Sequence, residues 1–216
     1  WDWGLIALHA GDPRVALYLF RRSLAIVREV NNPIHEITAE TLLSRAHLAL
    51  GNTRAALAAS TRAAGLHRES GLTILDTIPA QEVWLRHSQA LTAAHKPKAA
   101  WEALEQAYAF LLKGIADLGD EGLRRNYLNK RAVNREILDL WTKEGRRRKL
   151  PAERLQAHLA GRADLREPFQ RLTDSGLRLN ELRTAAELQA FLIDEAAELT
   201  GAQRVLLALD GAEGPA

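Results

Sequence analysis

The chain of 216 residues contains no cysteine. That excludes disulfides, zinc–thiolate sites and thiol redox chemistry, and it fits a cytoplasmic setting. Methionine is also absent and the first residue is Trp1, which reads as a piece cut from a longer protein. Aromatic residues make up only 6% of the chain, so a core built on large rings is not expected. Alanine and leucine are abundant instead, a mix that favours helices crossing closely at small residues. No apolar run approaches the length of a membrane span, and no secretory signal pattern opens the sequence. Charge of one sign is scarce too: 29 Lys and Arg against 27 Asp and Glu leave a formal net charge of +2. The pI near 9.1 reflects that small excess. A nucleic-acid binder would carry a larger, clustered excess, so neither nucleic acid nor membrane is expected as a partner. Hydrophobic and charged fractions of 47% and 26% are those of a folded globular chain.

What is present is repetition. Gly11-Asp12-Pro13-Arg14-Val15-Ala16, Gly51-Asn52-Thr53-Arg54-Ala55-Ala56 and His95-Lys96-Pro97-Lys98-Ala99-Ala100 each pair a polar turn with a small residue five positions on. They lie 40 and 44 residues apart, a period that belongs to stacked-helix arrays. Such arrays mostly bind; few do chemistry.

Punctuation between the turns gives the helices. Trp3–Ala10 reads as the end of one helix, broken by Gly11-Asp12-Pro13. Arg14–Val30 follows, with Leu17, Phe20, Leu24 and Val27 at helical spacing, and Asn31-Asn32-Pro33 ends it. Ile34–Leu50 has Ile37, Leu42, Leu43, Ala46 and Leu50 as core positions. Thr53–Glu69 returns, with Ala56, Ala59 and Ala63 toward its partner. Gln81–Ala94 and Pro97–Leu118 form a third pair. Aligned on their turns, the second helices share Ala16, Ala56 and Ala100 at one position. Phe20, Ser60 and Leu104 hold the next, and Ser23, Ala63 and Ala107 a third. This small–large–small ladder lets neighbouring helices approach.

On these residues, with Ser44 and Ser88 ahead of their turns, Gly4 in the corresponding place, and Trp84 as the large N-terminal aromatic, residues 1–118 resemble the tetratricopeptide repeat family. Departures are Ser60 in place of a large residue, His95 in place of the turn glycine, and a period longer than the family's usual value of about 34. The longer period resembles the variant of these repeats found in bacterial regulators. The resemblance implies an all-α, right-handed solenoid of helical hairpins whose first helices line a concave groove. It places Thr38, Thr41, Arg45, Glu82, Leu85 and Gln89 on that groove as contacts to a protein or peptide partner. The alternative is that the repeats act as a spacer.

Beyond Gly119-Asp120 the pattern changes. Glu121–Lys143 reads as one amphipathic helix, carrying Leu123, Tyr127, Leu128, Ile137, Leu138 and Trp141, which caps the last repeat. Gly145-Arg146-Arg147-Arg148-Lys149, with Pro151 behind it, reads as a solvated linker or tight turn. Ala152–Leu159 is a short helix and 165–182 a connector helix loosened at Gly176. Ala185–Leu199 is a further helix, with Thr184 and Glu187 at capping-box spacing. The run Val205–Leu209 has strand character. The stretch from Leu188 to Leu209 resembles the opening helix and first strand of a GAF domain, a sensor module of signalling proteins. It covers 22 residues of a domain several times that length.

Four segments result: repeats over 1–118, capping helix and basic linker over 119–150, connector helices over 151–183, and the start of a GAF-like segment over 184–216. Together they imply an interaction or scaffold region of a bacterial signal-transduction protein. The rival is a structural segment that dimerises through its C-terminal helices, in a sensor histidine kinase, nucleotide cyclase or transcription activator.

No catalytic residue, metal site or cofactor is expected. The seven histidines, at 9, 35, 47, 67, 87, 95 and 158, form no metal-binding pair with a matching glutamate, and His47 reads as a ring packed between two helices. Asp194, Glu195 and Glu198 read as a solvated helix face. There is no phosphate loop and no nucleophile elbow.

Overall fold

The computed structural model describes residues 1–71, 75, 77–116, 118–159, 184–200 and 205–207. Among these residues the chain is all-helical. The helices are α1 (Asp2–His9), α2 (Pro13–Glu29), α3 (Pro33–Ala49), α4 (Thr53–Glu69), α5 (Ala80–Ala93), α6 (Pro97–Ala116), α7 (Glu121–Lys130), α8 (Ala132–Arg147), α9 (Ala152–Leu155) and α10 (Ala185–Thr200). None of them is long and apolar enough to cross a membrane. The expected connector helix over 165–182 lies outside the described residues. Of the run expected as a strand, 205–207 carry no regular secondary structure; residues 208 and 209 lie outside the described residues.

The turns explain the array. Each of helices α1 to α5 is followed by a residue with left-handed backbone: Gly11 at φ 79°, Asn31 at 50°, Gly51 at 69°, Gly71 at 73° and His95 at 57°. At Gly51 the amide bonds to the Leu48 carbonyl (3.0 Å) and Asn52 N–H to the His47 carbonyl (2.9 Å), which satisfies the last carbonyls of α3. The same pair of bonds recurs at Gly11, Asn31 and His95. The following residue then caps the next helix. Asp12, Asn32 and Asn52 accept hydrogen bonds from the amides of Val15, His35 and Ala55 (3.1, 3.1 and 3.2 Å). Stop and start signals share three residues, so each helix folds straight back on the one before it.

The chain divides into two compact units: Trp1–Gly114 with Arg135–Leu150, and Ile115–Asn134 with the described part of Pro151–Ala216. In the first unit α1 packs on α2, α2 on α3, α3 on α4 and α4 on α5, while α3 and α5 also meet directly. The crossings are made by small residues. Ala16, Ala56, Ala63, Ala64 and Ala107 are fully buried, beside Phe20, Ile37, Leu42, Leu85 and Leu111. Gly4 of α1 lies so close to Phe20 that an added Cβ would sit 2.3 Å from the ring. Within α3, Thr41 hides its hydroxyl by donating to the Ile37 carbonyl (2.8 Å), which lets that helix be buried almost all round. Glu40, fully buried, accepts from Arg62 through both oxygens (2.8 and 2.9 Å) and from Arg28 (2.9 Å). One carboxylate thus fastens α2, α3 and α4 together.

The single helix expected over Glu121–Lys143 is corrected to two. Arg131 leaves the helical region (ψ 117°), and the Asn134 side-chain amide donates to the Tyr127 carbonyl (2.7 Å). In a continuous helix that carbonyl would accept from the Arg131 amide, so the asparagine supplies the alternative partner that ends α7. Asp120 caps α7 at Leu123 N–H (2.8 Å). The helix expected over Ala152–Leu159 is shorter, α9 giving way to turns after Leu155. In the second unit α10 opens on the reciprocal bonds of a capping box, Thr184 N–H to Glu187 Oε2 (3.0 Å) and Glu187 N–H to Thr184 Oγ1 (3.2 Å).

Candidate functional site

Three places in the first unit gather polar and aromatic side chains: the inner face of α3 and α5, a crevice beside Trp84, and a cleft between the α5–α6 turn and α8. The inner face was expected to carry the peptide contacts. Thr38, Thr41 and Leu85 are at most 1% exposed, which corrects their assignment. Their helices are packed by neighbours on several sides at once, so these side chains are core. Glu82 is also mostly buried. It accepts from Arg86 Nη2 (3.1 Å), and its Oε1 lies 3.9 Å from Arg45 Nη1. Gln89 is half-buried and held by Glu136 of α8. Arg45 retains exposure, its side chain being 29% accessible. Burial and the neighbouring Arg86 lower its pKa, against the raising effect of Glu82 and Glu136.

α8 explains why the inner face of α5 is covered. Glu136 accepts from Arg86 Nη1 (2.8 Å) as well as from Gln89. Farther along α8, Trp141 stacks on Trp101 (centroids 4.9 Å apart, planes 13° apart) and on Tyr108 (4.1 Å, 10°). Trp101 and Tyr108 are seven residues apart, on one face of α6. So α8 sits on α5 and α6 as α5 sits on α3 and α4. Of the residues expected to cap the array, Ile137 and Trp141 are at most 2% exposed, and both belong to α8.

Beside Trp84 runs a crevice of about 400 Å3 bordered by Arg68, Trp84, His87, Leu91, Glu102 and Gln106, among others. Trp84 Nε1–H donates to His67 Nδ1 (3.1 Å), and Arg68 lies 5.6 Å over the Trp84 ring. Ser60 Oγ and His87 Nδ1 are 3.0 Å apart. Burial, helped by Arg68, holds the His87 pKa down at about 4, so the ring is neutral near pH 7. A serine beside a neutral histidine is the start of a nucleophilic dyad, but Ser60 is only 1% exposed and its hydroxyl also bonds to the Leu57 carbonyl (3.1 Å). It lies mid-helix, where the backbone amides are already used. The pair therefore fills the space that a larger residue holds at this position in the other repeats. His47 is 7% exposed and packs as a buried ring; burial first, then Arg21, lowers its pKa. Among the described residues no group of three His, Asp or Glu side chains has the geometry to hold a metal.

The third place was not legible as a site. A cleft of about 620 Å3 opens between the α5–α6 turn and the last turns of α8. Ala93, Pro97, Ala100, Trp101, Leu104 and Leu140 give it apolar walls, and Glu144, Arg147 and Arg148 also line it. The last two belong to the basic run that reads as a linker. In the fold Arg146 and Arg147 end α8, Lys149 turns the chain at φ 57°, and Arg148 lies 4.6 Å over the Trp101 ring while donating to the Pro97 carbonyl (3.3 Å). The signal in the sequence was Trp101, with Tyr108 seven residues on; it identifies a face of α6 but not what meets it. Gln89 alone, of the six expected groove residues, borders this cleft.

Compared with protein-family models, curated proteins and solved structures, the chain matches none.

Proposed function

We propose that this chain is an interaction segment of a bacterial signal-transduction protein, in which a tetratricopeptide-like array binds a protein or peptide and leads into a GAF-like sensor segment from residue 184 onward. The observation that carries this reading is the seat of α8. The array accepts an amphipathic helix across α5 and α6, through an acidic contact to Arg86 and Gln89 and a stacked tryptophan. A surface that takes a helix from its own chain has the chemistry to take one from a partner, and Arg45 is the partly exposed cation on the adjoining helix α3. The segment itself is read as non-enzymatic, and cytoplasmic.

The test uses the whole 216-residue chain as bait, followed by isothermal titration of each captured protein in purified form. Binding that weakens on Arg45→Glu supports the inner face as the contact. Unchanged affinity for a validated partner removes the groove from the reading. A second reading has its own observation: Leu188 and Leu192, one turn apart on α10, are 40% and 43% exposed. They suit a helix that pairs with a second copy, making the chain a dimerising spacer. A light-scattering mass of one chain at high micromolar concentration would rule that out for this segment.

A further inference from the structure

The cleft beside Trp101 has a composition that selects a ligand. The polar side chains at Ser88, Thr92 and Gln89 along it already have hydrogen-bond partners. Ser88 Oγ donates to the Ala100 carbonyl (2.7 Å), Thr92 Oγ1 donates to the Ser88 carbonyl (2.9 Å), and Gln89 is engaged by Arg86 and Glu136. What the interior offers is apolar surface: Trp101, Leu104, Leu140 and the small Ala93 and Ala100. A sugar or a base would leave its hydrogen-bonding groups unpaired there. An apolar body would not, and the volume lies within the range of small-molecule sites.

The rim adds charge. Arg148 is laid over Trp101 and donates to the Pro97 carbonyl. Arg147 is free to turn: its side chain is 77% exposed and its pairing to Glu144 is long, at 3.5 Å. Two guanidiniums against one carboxylate leave the rim positive. Glu144 also repels a second negative charge on anything bound, which favours a monoanion over a phosphate or a dicarboxylate.

We propose that this cleft binds a small organic monocarboxylate with a ring-sized apolar body, the body against Trp101, Leu104 and Leu140 and the carboxylate paired with Arg147 in place of Glu144. Guanidinium and carboxylate match as two parallel hydrogen bonds, a better contact than the long one to Glu144. The cleft does not include Arg45, the residue that tests the peptide reading, so either reading can fail without the other.

The full chain is titrated with 4-phenylbutyrate, its neutral amide, 2-naphthylacetate and acetate, by calorimetry and by tryptophan emission. At least one of the two ring-bearing acids should bind saturably, at no more than about 10 mM, and alter tryptophan emission, with acetate silent. The amide should bind about tenfold more weakly than its acid. Arg147→Gln should weaken the acid by a similar factor. Glu144→Gln should tighten it several-fold, an effect that a damaged fold cannot produce. Ala93→Phe, which fills the cleft, should abolish binding while far-UV circular dichroism is retained. The proposal is overturned if neither ring-bearing acid saturates, if acid and amide bind alike, or if Arg147→Gln and Glu144→Gln leave affinity unchanged.

Discussion

Gly4 and His87 show how much single side chains decide here. Gly4 lets α1 approach α2 until the Phe20 ring fills the space a methyl group would need. Alanine has the better helix propensity, by about 1 kcal/mol, so on propensity alone Gly4→Ala should stabilise. The clash decides otherwise, because Phe20 is fully buried and its ring cannot swing away. Overpacking of this kind costs about 1–3 kcal/mol, and a lowered thermal midpoint for Gly4→Ala is expected; a raised one would show that α1 shifts freely. His87 sets a pH dependence. Its folded pKa of about 4 lies below the unfolded value of about 6.5. Between these values the unfolded state binds more protons, so stability is full above about pH 6.5 and falls as the pH drops toward 4. A shift of that size corresponds to at most about 3 kcal/mol. His47 and His158, also lowered by burial, add to the same trend. Urea unfolding at a series of pH values should show the loss, and His87→Gln should flatten it. A wild-type curve without slope in that window would mean that His87 is not held neutral.

At the scale of the helices, the turn is the repeating object. Left-handed residues fall at 11, 31, 51 and 71, each 20 apart, and then at 95. α2, α3 and α4 are each 17 residues long. The 40-residue period is therefore two equal halves, joined by the same turn inside and between hairpins. The sequence hides this because Asn31-Asn32-Pro33 spells the turn in other letters: asparagine tolerates the left-handed region that glycine occupies freely. Histidine tolerates it less well. His95→Gly should raise stability by about 0.5–1 kcal/mol, and Gly51→Ala, with no neighbour within 4 Å of the new methyl, should lower it by about 1 kcal/mol through backbone strain alone. Denaturant midpoints of the two variants, moving in opposite directions, check the assignment.

For the first unit as a whole, α8 is the element that closes the array. An array of hairpins leaves the last inner face open, and its apolar surface has to be covered. α8 does so with Ile137, Trp141 and the Glu136 contact, and in the same stroke it makes one wall of the cleft at Trp101. Removing the stacked ring should therefore be among the most damaging single changes. Trp141→Ala, at a residue only 2% exposed, is expected to cost about 3–5 kcal/mol. It should also abolish binding of any ligand seated at Trp101. Calorimetric melts of the variant test the first effect; a loss below about 1 kcal/mol would mean that α8 is a loosely held appendage.

The sequence by itself determined that the described residues are mostly helical, where most of those helices begin and end, and which small residues are buried between them. Those are local matters: a capping aspartate, a glycine with positive φ and an apolar period act within a few residues. Tertiary structure decided the rest. Thr38, Thr41 and Leu85 sit on the helix faces that a groove would use, yet packing from several neighbours turns them into core. Asn134 divides a helix whose apolar pattern runs on unbroken, because one side-chain hydrogen bond outcompetes a backbone one. Arg148 looks like part of a solvated linker until α8 delivers it to the ring of Trp101, 47 residues earlier in the chain. Contacts across such separations depend on how elements dock, and no local pattern encodes that docking.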